Sequence, residues 1–226
     1  MNRDQGISVP LPTIRRLPMY FSLLQKAAQE NQAAISSSQL ATDLGLEPIQ
    51  VRKDLEAIGV VGQPRIGFPV AELIQAIETF LGWDNTTDAF VIGAGHLGTA
   101  LAGYQGFEKH GLNVVALFDN DPRKVGQSIH GKEVLHIDKM SSLANRLHVH
   151  IAILTVPADV AASVAQLAVG AGIQAIWNFT PTKLTVPEGI ILERVDLAAS
   201  LAVLSSKLAA RLRPDNPNSQ TPPAQA

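Results

Sequence analysis

The spacing of apolar residues divides this chain into a helical first third and an alternating remainder. Before residue 80, apolar side chains recur at helical intervals. The predicted helices cover residues 18–30, 39–44 and 48–58. Ser36 precedes the second helix as a cap, and Gly45 follows it as a terminating glycine. Two short helices joined by a glycine turn are typical of a helix-turn-helix.

The residues after the third predicted helix have the pattern of a wing. Residues 59–68 form two short β-like pieces around a turn, with Arg65 at its tip. Pro69 then starts an amphipathic helix whose apolar side carries Leu73, Ile74, Ile77 and Leu81. We therefore expect a winged helix-turn-helix domain over residues 1–80.

From residue 84 onward, apolar runs alternate with helical segments. The predicted strands read apolar throughout and cover residues 90–92, 114–118, 134–137, 150–156, 175–179 and 190–192. Such strands are typical of a parallel sheet whose two faces are both covered by helices. The pattern therefore predicts an α/β fold, with a Rossmann-type, doubly wound parallel sheet over residues 84–194.

The C-terminal segment, residues 195–212, contains a final predicted helix. This helix carries a stripe of leucines at positions 197, 201, 204, 208 and 212. Such a stripe must be buried, either on its own domain or on a second subunit. The spacing alone leaves both alternatives open. The polar start, residues 1–8, is predicted to be loose, and the proline-rich tail, residues 213–226, to be disordered.

A glycine-rich turn between the first two strands of the sheet is the clearest chemical motif. Gly93, Gly95 and Gly98 follow an apolar strand and open a helix. The first glycine permits the tight turn, the second lets backbone approach a pyrophosphate, and the third lets helix and strand pack closely. Asp119 ends the next strand and suits a ribose 2′-hydroxyl, which favours NAD(H) over NADP(H). Ala94, His96 and Leu97 complete the predicted cofactor turn.

Residues at the ends of two later strands are expected beside this turn. Ligands of parallel α/β sheets bind beyond the carboxyl ends of the strands. The candidates for the nicotinamide side are Thr155, Val156, Pro157, Asn178 and Phe179. Residues of these types at strand ends often serve simply to form turns, and this is the alternative reading.

Basic and polar residues gather at three places in the N-terminal third. They lie before the first helix, on the third helix and on the wing: Arg15, Arg16, Gln50, Arg52, Lys53 and Arg65. Gln50 and Arg52 suit base edges, while Lys53 suits a phosphate. Residues 1–80 nevertheless carry seven Lys/Arg against eight Asp/Glu, a net charge of −1. Charge alone does not indicate DNA binding, and a docking or dimerisation module is the alternative.

Composition excludes several classes of protein. The 226 residues are 46% hydrophobic and 17% charged. The net charge of −2 gives the chain no overall electrostatic attraction to nucleic acid or to an anionic membrane. The absence of cysteine excludes disulfides and thiolate metal sites. No apolar run approaches the roughly 20 residues of a membrane span, and we expect a cytoplasmic protein. The six histidines show no metal-ligand spacing, and we predict no metal site.

Three functions fit these residues. The first is a regulator that joins a nucleotide sensor to a DNA-binding domain. The second is an NAD(H)-dependent oxidoreductase, although Tyr104 and Lys109 lie too far apart for the tyrosine–lysine pair of some dehydrogenases. The third is a CoA-binding domain, which shares the glycine turn, and Asp119 argues against it. No catalytic group is evident, so a sensor is the simplest interpretation.

The ordered motifs of the chain resemble those of the Rex family of redox-sensing transcriptional repressors. The similarity runs from about Pro10 to Leu212. Its markers are residues 16–18, 50–55, 59, 67, 93–98, 104, 106–107, 118–119, 155–158, 178–181 and 195–197.

This resemblance implies a homodimeric winged-helix repressor and not an enzyme. Such a protein binds operator DNA when NAD⁺ predominates and leaves it when NADH rises. The resemblance also implies that the last helix is swapped into the partner subunit. Tyr104, Asp196 and Leu197 would then carry signals between domains and subunits.

The chain departs from the family pattern at two places. The wing has residues 63–65, Gln-Pro-Arg, where a basic pair and glycine are usual, so operator preference or affinity is expected to differ. Ser22 stands where relatives have an arginine that contacts the Asp196 region of the partner. The response to NADH is therefore expected to be weaker.

Overall fold

The computed structural model describes residues 9–213, which form two compact units. The first unit comprises residues 9–86 together with residues 106–111, and the second comprises residues 87–105 and 112–213. Among these residues no helix is both long and apolar enough to cross a membrane. The loose start predicted for residues 1–8 lies outside the described residues. So does the predicted disordered tail, apart from Arg213.

The first unit is a helical domain with one small sheet. Its elements are α1 (Leu11–Gln29), β1 (Ala34–Ile35), α2 (Ser37–Leu44), α3 (Pro48–Ala57), β2 (Phe68–Pro69) and α4 (Val70–Leu81). The strands β1 and β2 pair antiparallel. Helices and strands together bury one apolar core that includes Leu17, Phe21, Leu24, Leu40, Val51, Leu55, Phe68, Leu73 and Ile77.

The first helix is longer than its predicted counterpart. It begins at Leu11 rather than at Pro18, and Pro18 lies inside it. The predicted start was wrong because a proline is common in the first turn of a helix, where its missing N–H costs nothing. Inside a helix the same residue removes one hydrogen bond, which destabilises the helix locally. Burial of Leu17 and Tyr20 on either side of Pro18 favours the continuous helix.

The helix-turn-helix forms as its capping residues predict. Oγ of Ser36 accepts a hydrogen bond from the Gln39 amide at 3.1 Å, which caps α2. Gly45 ends α2 in the left-handed conformation with φ of 64°, and Pro48 occupies the first turn of α3. The predicted helix-turn-helix is therefore confirmed.

The wing is shorter than predicted. Gln63 and Gly67 exchange two backbone hydrogen bonds of 2.7 and 2.9 Å, and Arg65 lies at the tip with φ of 66°. The two β-like pieces thus form one antiparallel bridge with each other and not an extended ladder. Instead the second piece, β2, pairs with β1, which precedes α2 and which the sequence pattern did not reveal. Two-residue strands are too short to produce a periodic signal.

The second unit is built on a seven-stranded sheet. Its elements are β3 (Thr87–Ile92), α5 (His96–Ala102), β4 (Leu112–Asp119), β5 (Ser128–Ile129), β6 (Lys132–His136), α6 (Met140–Leu147), β7 (Ile151–Leu154), α7 (Ala161–Gly170), β8 (Ala175–Asn178), β9 (Ile191–Arg194) and α8 (Leu197–Leu212). The strand order is β5-β6-β4-β3-β7-β8-β9, and all pairs except β5–β6 are parallel.

The six parallel strands have the order of a Rossmann fold. Numbered along the chain they read 3-2-1-4-5-6, so the order reverses between β3 and β7. The predicted doubly wound α/β sheet is thus confirmed. The short strand β5 was not predicted, because it is a two-residue hairpin arm that turns through His130 and Gly131. In open parallel α/β sheets, ligands bind where the strand order reverses, which here is beyond the carboxyl ends of β3 and β7.

The last helix lies exposed along its whole length. Asp196 caps it by accepting the Ala199 amide at 3.0 Å. No residue of α8 is buried, and its five stripe leucines are between 52% and 70% exposed. Within the described residues the stripe is therefore not covered by its own chain. Of the two alternatives left open by the spacing, this favours burial on a second subunit.

Candidate nucleotide-binding and nucleic-acid sites

The glycine turn after β3 is held by the two neighbouring strands. Gly93 has φ of 104°, and its amide donates to the Phe118 carbonyl at 2.7 Å. From β7, Oγ1 of Thr155 lies 2.9 Å from the Gly93 carbonyl oxygen and 3.1 Å from that of Ile92. The positive φ excludes most side chains from position 93. The turn is thus fixed at the point where the strand order reverses.

Two further glycines of the motif meet different surroundings. A Cβ on Gly98 would lie 1.9 Å from the Gly93 carbonyl oxygen and 2.7 Å from Oγ1 of Thr155. A Cβ on Gly95 would meet no protein atom within 4 Å. Gly98 is therefore required by packing of α5 on the turn. The open space at Gly95 fits the role expected of the second glycine, which is to leave room for a pyrophosphate.

Asp119 lies at the end of β4 and faces the same turn. Its Oδ2 accepts from the Ala94 amide at 2.9 Å and from Nζ of Lys124 at 2.8 Å, and its Oδ1 accepts from the Asp121 amide at 2.9 Å. Burial would raise the pKa of Asp119. The hydrogen bonds from Lys124 and the two amides outweigh it and hold that pKa below its ordinary value. Asp119 is therefore a carboxylate at neutral pH.

The loop after Asp119 pairs its two cations with two different acids. Lys124 bonds to Asp119, whereas Arg123 bonds to Asp121 through Nη2 at 2.7 Å and Nε at 3.0 Å. The arginine lowers the pKa of Asp121 to about 2. Sequence reasoning missed Lys124, although a lysine five residues after a strand-ending acid in a tight turn was a visible signal.

The candidates on β7 and β8 do not all face outward. Val156 and Phe179 are half-buried, and Pro157 is exposed. Asn178 is fully buried: Oδ1 accepts from the amide and the hydroxyl of Thr180, and Nδ2 donates to the Thr182 carbonyl. The direct nicotinamide contact expected of Asn178 does not fit this burial. Its hydrogen bonds instead shape the loop that follows β8.

In the first unit, a buried carboxylate joins α1 to α3. Asp54 accepts from Nε of Arg16 at 2.6 Å, from the Tyr20 hydroxyl at 2.6 Å, from Thr13 at 2.8 Å and from Nε2 of Gln50 at 3.0 Å. Burial opposes ionisation, but these donors, with Arg16 the strongest, hold the pKa of Asp54 below its ordinary value. Burial, followed by the hydrogen bond to Asp54, raises the pKa of the Tyr20 hydroxyl.

This cluster alters the interpretation of two DNA-contact candidates. Two guanidinium nitrogens of Arg16 bond to Asp54. The charge of Arg16 is therefore already paired and is not free to bind a phosphate. The side-chain amide of Gln50 is likewise turned to Asp54 rather than outward. Sequence reasoning missed Asp54, although an acid between Val51 and Leu55 on the apolar face of a helix indicates a buried charge.

The remaining basic candidates of the first unit are exposed. Arg52 and Lys53 are neighbours on α3: Lys53 lies on the side away from the buried Val51 and Leu55, and Arg52 flanks that side. Arg15 is exposed on α1, and Arg65 is exposed at the tip of the wing. No cluster of three or more His, Cys, Asp or Glu suited to a metal occurs among residues 9–213.

Comparisons with known proteins match both parts of the chain. Residues 84–182 match the family described as the CoA binding domain, and residues 8–56 match the one described as the putative DNA-binding protein N-terminus. The redox-sensing transcriptional repressor Rex of Treponema denticola is 51% identical over 85% of this chain and 92% of its own. That of Bacteroides fragilis is 38% identical over 92% of this chain and 94% of its own.

The chain belongs to the Rex family of redox-sensing transcriptional repressors. Solved structures agree. A Rex-family repressor, RSP, in complex with β-NAD⁺ and operator DNA has a TM-score of 0.86 and 39% identity, covering 91% of this chain and 94% of its own. RSP in complex with β-NADH has a TM-score of 0.82 and 38% identity, covering 91% of this chain and 96% of its own.

Two features of the chain bear on how it resembles other Rex proteins. Oγ of Ser22 donates to the Pro18 carbonyl at 3.1 Å, so this side chain turns back onto its own helix. Near the far end of the chain, Arg194 and Asp196 form an ion pair of 3.0 Å in which both side chains are partly exposed. The side chain of Ser22 is too short to reach as far as the arginine of relatives would. The weaker response to NADH expected from the sequence therefore stays a prediction.

Proposed function

We propose that this chain represses transcription by binding operator DNA through its first unit, and that NADH bound to its second unit releases it. The observation that carries this proposal is one chain with both a winged helix-turn-helix and a Rossmann glycine turn followed by an ionised acid. Rex-family RSP has been solved with NAD⁺ and operator DNA, and separately with NADH. Both architectures and the family membership of this chain support the same function.

The nucleotide site that we propose is the turn beyond β3 with its neighbours. Gly93, Gly95 and Gly98 would form the pyrophosphate cradle together with residues 94, 96 and 97. Asp119 would accept the hydroxyls of the adenosine ribose. Thr155 supports the turn, residues 156, 157 and 179 would border the nicotinamide, and the buried Asn178 would act through its loop.

The DNA surface that we propose consists of the exposed cations of the first unit. Arg52 and Lys53 on α3 would enter the major groove, Arg15 would contact the backbone, and Arg65 would reach the DNA from the wing. Arg16 would hold α1 against α3 through Asp54, and Gln50 would brace the Asp54 carboxylate from within α3. Their direct contact with DNA would require them to exchange that partner.

The active form that we propose is a homodimer, in which α8 packs its leucine stripe on the partner. Two winged helices related by a twofold axis read two half-sites of a palindromic operator. Tyr104, Asp196 and Leu197 would participate in signalling between the subunits. Because its target is DNA, we place the protein in the cytoplasm.

The family membership also decides between the three functions considered from the sequence. Rex proteins are regulators, so the chain is not an enzyme. The match to the CoA binding domain family reflects the shared turn, and Asp119 with its 2′-hydroxyl preference favours NAD(H) as the ligand. Preferential binding of CoA over NADH would overturn this choice.

The decisive experiment is a titration of operator binding with each nucleotide. Fluorescence anisotropy of a labelled palindromic operator would be followed at fixed salt, because affinity for DNA depends steeply on ionic strength. We expect NADH to release the protein at concentrations where NAD⁺ has little effect. Binding that neither nucleotide changes would show that the second unit does not regulate DNA binding.

A further inference from the structure

A six-residue piece of chain from the middle of the sheet domain belongs to the DNA-binding unit. The chain enters the second unit at Thr87, forms β3 and α5, and then returns to the first unit over residues 106–111. It enters the second unit again with β4 at Leu112. We call residues 106–111 the returning segment. It was not foreseen from the sequence, which predicted one uninterrupted domain over residues 84–194.

Aromatic rings anchor the returning segment to the first unit. The imidazole of His110 lies with its centroid 4.2 Å from the ring of Trp83, at an interplanar angle of 61°. Trp83 in turn lies 5.3 Å from Phe21 in an edge-to-face arrangement, and Phe21 lies 6.2 Å from His110. Phe21 belongs to α1 and is 1% exposed. The three rings therefore connect the segment to the core of the DNA-binding unit.

The backbone of the returning segment is also closely packed and internally braced. A Cβ on Gly111 would lie 2.6 Å from the Asn85 carbonyl oxygen and 3.0 Å from that of Trp83, and Gly111 has φ of 68°. Nδ1 of His110 is 2.7 Å from the Gly106 carbonyl oxygen, which closes the segment into a compact turn. The packing of Gly111 ties the segment to the first unit, and the His110 contact keeps the segment itself compact.

The returning segment follows the helix of the nucleotide turn almost directly. Helix α5 begins at His96, inside the glycine motif, and ends at Ala102. The amide of Gly103 is 3.3 Å from the Thr99 carbonyl oxygen, and the Tyr104 amide donates to Leu101 at 3.1 Å. Gln105 alone then separates this hydrogen-bonded helix end from Gly106. One residue spans about 3.3–3.6 Å, so the connection has little slack.

We propose that Trp83 and His110 are positioning residues of the nucleotide response. They clamp the returning segment to the first unit, so that any shift of α5 on binding a nucleotide is passed to the helices that hold the DNA surface. This inference rests on the proposed function and names a route for its regulation. The clamp is not needed for folding of the nucleotide turn or for the exposed cations of α3, so its loss uncouples two sites that each still bind.

The test measures coupling rather than either affinity alone. The release factor is the operator Kd with saturating NADH divided by the operator Kd without nucleotide, both at the same salt. Couplings of this kind are typically about 5- to 150-fold. In the full-length His110→Ala variant we expect a release factor within about twofold of one. Operator affinity without nucleotide, and NADH affinity from nicotinamide fluorescence, should stay within about twofold of wild type.

Reciprocity provides a second readout. Because coupling free energy is shared, operator DNA must weaken NADH binding by the same factor by which NADH weakens operator binding. That effect should also disappear in His110→Ala. His110→Phe keeps a ring against Trp83 and should retain most of the release factor. His150→Ala removes an exposed histidine of the second unit and serves as the matched control, with an unchanged release factor.

The outcomes separate this inference from the proposed function. A wild-type release factor of one would overturn the function itself. A wild-type factor well above one that is unchanged in His110→Ala would overturn the clamp alone. An equal loss of operator affinity with and without NADH would show a merely structural role and would also overturn it. Should His110→Ala not fold, Trp83→Phe replaces it, with a reduced release factor expected and an unchanged one counting against the clamp.

Discussion

Arg16 and Asp54 form a two-point ion pair inside the DNA-binding unit. Nε of Arg16 lies 2.6 Å from Oδ2, and Nη2 lies 2.7 Å from Oδ1. The Asp54 side chain is 1% exposed, whereas that of Arg16 is 21% exposed. Because Arg16 is on α1 and Asp54 on α3, the pair sets the position of the helix that is proposed to enter the groove.

The first prediction concerns the stability contributed by this ion pair. Asp54→Asn leaves Arg16 without its charged partner and should lower the free energy of unfolding by about 3–5 kcal/mol, the usual cost of breaking a buried pair. Urea unfolding followed by circular dichroism measures it. Asp43→Asn, on the exposed side of α2, is the control, and a similar loss there would contradict the assignment.

The same pair predicts how stability depends on pH. The pKa of Asp54 is lower in the folded protein than in the unfolded chain, whose aspartates titrate near about 3.9. The contribution of Asp54 to the free energy of unfolding is therefore fully present above about pH 4. It is lost as the pH falls through the lower pKa that Asp54 has in the folded protein. Unfolding free energies of the wild type should drop in this acid range. The free energy of unfolding of Asp54→Asn should change less with pH in this range. The same pH dependence in both proteins would show that Asp54 is not responsible for the drop.

Two neighbouring glycines should respond in opposite ways to alanine. Gly98→Ala places a methyl group against the Gly93 carbonyl and should cost about 1–3 kcal/mol of stability or more. Gly95→Ala meets no protein atom within 4 Å and should cost less than about 1 kcal/mol. Its NADH affinity should nonetheless fall at least tenfold, roughly 1.4 kcal/mol, because the methyl group occupies the pyrophosphate space. Thermal unfolding and nicotinamide fluorescence measure the two effects.

Asp119 and Lys124 together should decide which nicotinamide nucleotide binds. Asp119→Ala removes a charged hydrogen-bond acceptor, so NADH affinity should fall by about 1.5–3 kcal/mol, or roughly 10- to 150-fold. It also frees Lys124, which now pairs with Asp119 at 2.8 Å, to meet a 2′-phosphate. The preference for NADH over NADPH should therefore shrink or invert. The double variant with Lys124→Ala should lose that gain, and equal NADPH affinity in both would count against Lys124.

Helix α3 should account for DNA affinity. Arg52→Ala should weaken operator binding by about 1–3 kcal/mol, with relaxed sequence preference if the arginine contacts a base. NADH binding should be unchanged. Lys26→Ala, at the exposed end of α1 where Lys26 lies 4.0 Å from Glu30, is the charge-matched control. Equal losses for the two variants at the same salt would indicate non-specific electrostatics rather than a contact of α3.

The exposed leucines of α8 should hold two copies together. Leu204 is 64% exposed on its own chain, so Leu204→Glu should leave the monomer folded and shift the protein towards monomers. Ser206→Glu, on the opposite face of α8, should leave the oligomeric state unchanged. Light scattering after gel filtration measures the mass. A dimer unaffected by Leu204→Glu would place the interface elsewhere.

Local patterns in the sequence sufficed for much of the architecture and for the nucleotide turn. Capping by Ser36, termination at Gly45 and the glycines of the turn depend on φ and on hydrogen bonds between near neighbours, which residue type alone specifies. Pro18 shows the limit of such rules. Its helix continues because the surrounding apolar residues are buried in the core, and this long-range gain overrides a local penalty.

The sequence by itself determined the order along the chain of the main helices and of the six parallel strands, the strand-to-helix turn with its following acid, and the exposed cations of α3, because each follows from periodicity or from single residues. Tertiary structure alone decided which polar side chains stay available. Arg16 and Gln50 turn to Asp54, Lys124 pairs with Asp119, and Asn178 is enclosed by its own loop. It also brought His110 to Trp83 across 27 positions of sequence. Such pairings depend on how segments that are distant in sequence pack together. Local patterns along the chain do not specify which of these segments meet.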